Sequence, residues 1–239
     1  VAERTFSVFE RDPASYNRGR AVIRGAILPA LAWLFRIRIS TRGMAEHLPQ
    51  NGPAIVIMNH RGGLDPLILM RVIRPRYLLT MSKIENYDIP IFSTLMRIWG
   101  AYPVQRGEAD RRALEFTLKL LAQGHLVLIA PEGTRQPAMI EARDGLAYLA
   151  TKANVPVVPV GLYGTREFTG NLKRLRATPV TVTFGPAFRF KAAGRRIPRE
   201  QLAQMTREAM TEIAKLIPEP VRGFYGPIPD KPPELLEFI

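Results

Sequence analysis

Ala54-Ile55-Val56-Ile57-Met58-Asn59-His60-Arg61-Gly62-Gly63-Leu64-Asp65-Pro66 reads as an apolar run, a glycine turn and a helix start. The run 54–58 has the length and character of a buried strand. Asp followed by Pro marks the start of a helix, with Asp65 as N-cap and Pro66 at the first helical position. The turn also carries chemistry. His60 stands at the strand's end, and Gly62-Gly63 folds the chain back toward Asp65. A carboxylate placed there accepts a hydrogen bond from one imidazole nitrogen and leaves the other as a base for a substrate proton. The plain alternative is a turn histidine with a satisfied N–H.

Outward from this unit the same grammar repeats. Residues 17–35 read as a helix kinked at Pro29, and 36–42, Arg-Ile-Arg-Ile-Ser-Thr-Arg, alternate like an exposed strand. Helices are expected over 65–73, 90–99, 108–123 (starting at Glu108 and ending near Gly124), 139–153 and 199–216. Strands are expected over 76–81, 102–104, 126–130, 157–162 and 180–184. This alternation predicts an α/β fold, a single domain with a largely parallel central sheet flanked by helices. That domain is assigned to 41–217. An N-terminal basic and apolar segment, 1–40, is read as membrane-interfacial and helical. A Pro-rich C-terminal arm, 218–239, is expected to be extended or partly disordered. His60 and Glu132 both follow the carboxyl ends of strands, where open α/β sheets place their sites. No internal repeat is visible.

Composition narrows the chemistry. The 239 residues include no cysteine, which removes thiol nucleophiles, disulfides and thiolate metal sites. No Gly-x-Ser-x-Gly nucleophile elbow and no nucleotide-type phosphate loop occurs. His47 and His125, the other histidines, lack a carboxylate or histidine at metal-ligand spacing and read as structural, so no metal is expected. The net charge is +13, from 34 Lys and Arg against 21 acidic residues, which implies an acidic partner. Its distribution favours lipid. Residues 171–199 hold Lys173, Arg174, Arg176, Arg189, Lys191, Arg195, Arg196 and Arg199 with no acid between them. Residues 25–35 are uncharged, lie between arginines and include Trp33 and Phe35. They are too short to span a bilayer, which takes about 20 residues, and suit an interfacial helix. They do not read as a secretory signal, because no small-residue cleavage site clearly follows. The other reading is a helix that packs its apolar side on the domain.

Three further stretches stand in order with the first: Gly100-Ala101-Tyr102-Pro103-Val104-Gln105-Arg106-Gly107, then Pro131-Glu132-Gly133-Thr134-Arg135 after a strand, then Val155-Pro156-Val157-Val158-Pro159-Val160-Gly161. His-x4-Asp alone is a common juxtaposition, whereas the four together are specific. Over residues 43–164 the chain resembles the glycerolipid acyltransferase family, of the 1-acylglycerol-3-phosphate O-acyltransferase type. The resemblance implies His60 as general base and Asp65 as the residue that orients it. It implies Lys83 and Arg106 near the acceptor, Glu132, Gly133, Thr134 and Arg135 around the acceptor's glycerol phosphate, and Pro159 near the acyl donor. The chain departs from the family at Gln136, where Ser is frequent, at Arg143, where Lys is common, and at Arg61-Gly62-Gly63, where a bulkier residue is common.

The reaction so implied moves a fatty acyl group from acyl-CoA or acyl-carrier protein to the sn-2 hydroxyl of 1-acylglycerol 3-phosphate, without a cofactor. It needs a base near the hydroxyl, which an imidazole supplies at neutral pH, and donors for the thioester oxyanion. Backbone N–H groups at the start of the helix after Asp65, or near Gly133, are candidates for the latter. A phosphate-bearing acceptor needs fixed cations, for which arginine's planar fork is suited. The expected partners are an anionic membrane surface at the cytoplasmic face of the cell membrane, a lysophospholipid and the acyl donor, with no nucleic acid. The alternatives are the same chemistry on glycerol 3-phosphate, another lysophospholipid or a glycolipid, and a non-catalytic basic membrane- or nucleic-acid-binding protein.

Overall fold

Apolar side chains at every position of Ala54–Met58 form strand β2, and all of them are buried, as a strand covered on both faces requires. Alternate residues enter different cores. Ile55 and Ile57 join one cluster, while Ala54, Val56 and Met58 join another on the opposite face of the sheet. A computed structural model describes residues 7–105, 110–191 and 197–239. Arg106, Glu108, Arg195 and Arg196 therefore lie outside the described residues.

The other elements follow in chain order: α1 (Asn17–Val22), α2 (Leu28–Leu34), β1 (Ile37–Arg42), α3 (Met44–His47), α4 (Asp65–Val72), β3 (Leu78–Lys83), α5 (Pro90–Trp99), β4 (Tyr102–Val104), α6 (Arg111–Ala122), β5 (Leu126–Ile129), α7 (Gly145–Ala153), β6 (Val157–Tyr163), α8 (Phe168–Lys173), β7 (Thr178–Phe184), β8 (Phe188–Phe190), α9 (Arg199–Lys215) and β9 (Leu236–Phe238). Among the described residues the sheet has nine strands, in the order β1-β7-β6-β2-β5-β3-β4, with β8 pairing β6 and β9. Strands β6, β2, β5, β3 and β4 run parallel. Strand β7 is antiparallel to β6 and carries β1 parallel to itself. The fold is thus the expected α/β architecture with a largely parallel sheet and helices on its faces.

Several boundaries differ from the sequence reading, each for a physical reason. Residues 139–144, expected to begin a helix, are not helical. Their backbone donors are used elsewhere, Met139 N–H on Val221 O, Ala142 N–H on Tyr225 Oη and Arg143 N–H on Pro131 O, so α7 starts only at Gly145. Helix α6 starts at Arg111, capped by the Asp110 side chain, which accepts from Ala113 N at 3.0 Å. The C-terminal arm is not free. Tyr225 and Leu236 are buried, and β9 pairs antiparallel with β8.

At the N-terminus, Pro29 has no N–H to donate, and its ring would collide with a carbonyl one turn back. A π turn over Ile23–Ile27, in which Leu28 N–H reaches Ile23 O, accommodates it. One face of this helical segment is buried: Ile23 and Leu28 pack with Met70, Tyr87, Met96 and Trp99. The other leaves Val22, Leu34 and Trp33 exposed, Trp33 to 83%.

Arg20 fastens this segment to the domain. It is 2% exposed and donates to Trp99 O, Pro13 O and Asn17 Oδ1 at 2.7, 2.8 and 3.1 Å. Its guanidinium lies near the Tyr16 and Tyr77 rings, and burial lowers its pKa to about 10. Arg20→Met removes these bonds and leaves the Trp99 carbonyl unpaired at the end of α5. Urea unfolding should show a loss of about 2–4 kcal/mol. A loss below about 0.5 kcal/mol would mean that Arg20 does not fasten the segment.

Candidate active site

Strands β6, β2, β5 and β3 are parallel neighbours, so their carboxyl ends open on one edge of the sheet. Each is followed or ended by residues with chemistry: Thr165 and Arg166, His60 and Arg61, Gly133 and Arg135, and Lys83.

The turn after β2 is built around one oxygen. His60 Nδ1 lies 2.8 Å from Asp65 Oδ2. The same oxygen accepts the Arg61 and Gly62 N–H groups, both at 2.8 Å. An oxygen holding two backbone donors is an acceptor toward the imidazole as well, which puts a proton on Nδ1; in the neutral ring Nε2 then carries the lone pair. Asp65 is fully buried and His60 nearly so. Asp65 is not the N-cap: Leu64 holds that place and Asp65 is the first helical residue. Its carboxylate turns back into the loop instead of serving the helix's free N–H groups. Asn59, also buried, fixes the start of the loop by exchanging side-chain bonds with Leu162 N and O of β6 at 2.8 and 2.9 Å.

Glu132 takes a different place from the expected acceptor contact. Its Oε1 accepts the His60 backbone N–H at 3.0 Å, and its Oε2 accepts Ile140 N–H at 3.2 Å. It is 4% exposed and lines neither cavity described below. A carboxylate would also repel a phosphate. Gln136 N–H donates to His60 O at 3.0 Å, so this loop grips the histidine backbone on both sides. Gly133 has φ +68°, a left-handed conformation that favours glycine, and its N–H is bonded to Ala130 O. Asp65 N–H is likewise bonded to Gly62 O, so neither of these two groups is free for an oxyanion.

Two cavities meet at His60. One, of about 380 Å³, is largely apolar and lined by Leu128, Ile129, Ala113, Leu114, Leu146 and Leu149, with Gly133 and Arg143 also on its wall. The other, of about 690 Å³, is lined by Arg61, Lys83, Arg135 and Arg166, with Ile89, Phe92 and Phe168 and, among the described residues, no acid. His60, Pro66, Thr80, Met81 and Lys83 line both. The structure therefore brings His60, Asp65, Lys83 and Arg135 together, with Gly133 on the apolar side. Thr134 lines neither cavity. Pro159 lies within β6, opposite Ile57 of β2. It falls where β6 passes from pairing with β8 at Val157 to pairing with β7 from Val160 onward. Sequence reasoning missed Arg61, Thr165 and Arg166 as wall residues. The rule that sites follow strand ends would have reached the last two, which stand just beyond β6.

The comparisons agree with this architecture. The family model described as Acyltransferase matches residues 39–163, and the chain belongs to that family. Its relatives include the 1-acyl-sn-glycerol-3-phosphate acyltransferase alpha of Ovis aries, 30% identical over 72% of this chain and 66% of that protein. A 1-acyl-sn-glycerol-3-phosphate acyltransferase of Chlamydomonas reinhardtii is 32% identical over 78% of this chain and 55% of its own length. The chain thus spans less than two thirds of the length of these curated relatives. Among solved structures, the 1-acyl-sn-glycerophosphate (LPA) acyltransferase PlsC from Thermotoga maritima superimposes with a TM-score of 0.59 at 23% identity, covering 82% of this chain and 81% of that one. It shares the fold.

Burial pushes the Glu132 carboxyl above its ordinary value, and the two backbone donors offset this only in part. A raised folded value means that its contribution to stability is complete below about pH 4.5, the ordinary value, and declines as pH rises through the folded value. Relative to Glu132→Gln, the wild type should therefore lose unfolding free energy as pH rises from 4.5. A difference between the two that stays constant across that rise would contradict the burial effect.

Proposed function

We propose that this chain transfers a fatty acyl group from acyl-CoA or acyl-carrier protein to the sn-2 hydroxyl of 1-acylglycerol 3-phosphate, forming phosphatidate. The observation that carries the reading is the junction at His60, where a largely apolar cavity meets a basic one beside an imidazole oriented by Asp65. In this mechanism His60 Nε2 takes the acceptor's hydroxyl proton as the oxygen attacks the thioester carbonyl. Asp65 holds the ring and stabilises the imidazolium. The tetrahedral oxyanion then collapses, the carbon–sulfur bond breaks, and the thiolate leaves with the proton returned by His60. Lys83, on the wall of both cavities, supplies positive charge where the oxyanion forms. The acyl chain occupies the apolar cavity, and the acceptor's phosphate meets Lys83 and Arg135 in the basic one.

The acceptor reaches this site from an anionic membrane surface at the cytoplasmic face. Among the described residues no helix is long and apolar enough to cross a membrane. Trp33 and Leu34 are exposed, as are Leu175 and its neighbours Lys173, Arg174 and Arg176. The two groups are linked by Arg36 Nη1, which donates to Leu175 O at 2.7 Å. Aromatic and aliphatic groups beside cations suit a headgroup layer. Ile89 and Ile91 are exposed at the start of α5, and Ile89 lies on the basic cavity's wall.

Thiol release from palmitoyl-CoA should depend on added lysophosphatidate and should fall roughly 10²–10⁴-fold in His60→Ala. More than about a tenth of the wild-type rate in that variant would remove His60 as the base. Trp33→Ala with Leu34→Ala should reduce co-sedimentation with phosphatidylglycerol vesicles. Equal sedimentation would place membrane contact elsewhere.

A further inference from the structure

Arg61 is a cation that the mechanism above leaves unused. It is 7% exposed and lines the basic cavity next to His60. Its Nε donates to Pro137 O at 2.9 Å, and its guanidinium lies on the Tyr163 ring at 5.3 Å. Its Nη1 is buried with no hydrogen-bond partner, and among the described residues no carboxylate forms an ion pair with it. A guanidinium removed from water without a counter-charge is unfavourable, and an anion entering the cavity relieves it.

The surroundings favour one kind of anion. Thr165 Oγ1 is also buried without a partner and lines the same cavity. It packs directly on the 61–63 turn, since a Cβ on Gly62 would lie 2.9 Å from Thr165 Oγ1 and 3.0 Å from its carbonyl carbon. On the adjoining residue, a Cβ on Gly63 would lie 3.1 Å from Arg135 Nη1. The two glycines thus let a hydroxyl and a second guanidinium close in on the turn that carries Arg61.

We infer that Arg61, assisted by Thr165, is a specificity-determining site for a phosphomonoester headgroup on the acceptor. This rests on the acyl-transfer reading for the word acceptor alone. A phosphomonoester offers three terminal oxygens to the fork of Arg61, the Thr165 hydroxyl and Arg135 together. A phosphodiester ending in an ammonium group brings less negative charge, and a cation, into a cavity whose described lining holds four basic residues and no acid, and is disfavoured.

The test is calorimetric binding of glycerol 3-phosphate and of CoA to wild type, Arg61→Gln and Arg61→Lys, beside turnover of lysophosphatidate and lysophosphatidylcholine. Glycerol 3-phosphate should bind at least tenfold more weakly to Arg61→Gln and several-fold more weakly to Arg61→Lys. The kcat/KM preference for lysophosphatidate should fall in parallel. Absence of glycerol 3-phosphate binding by the wild type, or equal affinity in folded variants, overturns the inference. CoA affinity that falls while glycerol 3-phosphate affinity holds assigns the anion to the donor and overturns it equally. If neither variant folds, a wild-type crystal soaked with glycerol 3-phosphate decides: phosphoryl oxygens in hydrogen-bond contact with Arg61 support it, and a phosphoryl group bound elsewhere does not. Arg61-dependent glycerol 3-phosphate binding without thiol release from any acceptor would sink the acyl-transfer reading and leave this one standing. Unchanged binding with intact His60-dependent release would do the reverse.

Discussion

Asp65 Oδ2 gathers the His60 ring nitrogen and two successive backbone N–H groups at 2.8 Å each, and the geometry of the site depends on that oxygen. A buried carboxylate must be matched by donors. Here the turn itself supplies the donors to Oδ2, which shapes the loop, while Oδ1 is buried without a hydrogen-bond partner. The residues that follow β2 are thereby wrapped into a tight arc. His60 lies where the two cavities meet, and Arg61 lies on the wall of the basic one. The helix that the Asp-Pro pair announces does begin at Asp65, but the carboxylate serves the loop and not the helix's free N–H groups.

The arc is held from outside by a second loop. Glu132 and Gln136 grip the His60 backbone N–H and carbonyl, and Pro137 receives the Arg61 Nε. That loop is in turn braced by the C-terminal segment. Phe224 N–H bonds to Met139 O, Met139 N–H to Val221 O, and Ala142 N–H to Tyr225 Oη. Burial raises the pKa of Tyr225 to about 12, so its hydroxyl stays neutral beside the buried Glu132. The proline-rich tail is thus part of the support for the site, bracing the loop that holds the histidine.

The parallel sheet explains why two unlike cavities can share a histidine. Parallel strands present all their carboxyl ends on one edge, so loops distant in sequence converge there. One side of that edge is floored by β5, α6 and α7 and is apolar. The other is walled by the loops after β2, β5 and β6 and is basic. A reaction joining a lipid chain to a charged headgroup needs these two environments in contact at one base.

Much of this was legible along the chain, because periodicity and local signals are short-range. The run Ala54–Met58 reads as a buried strand, the alternation at Ile37–Arg42 as an exposed one, and the glycine turn brings His60 and Asp65 together. The four ordered blocks pointed to the family. What the sequence could not determine was which way each polar side chain would turn. Glu132 reads as part of an acceptor loop but points back beneath His60, because two backbone donors from separate segments meet there. The helix expected from residue 139 gave way to an irregular stretch because distant segments, the tail among them, claim its N–H groups. Arg61 and Arg166, ordinary surface charges by composition, face one cavity because β2 and β6 lie side by side. Local sequence decides the elements. The partners of buried polar groups are decided only when distant segments pack, since each donor and acceptor must find its match among whatever residues the fold brings within reach.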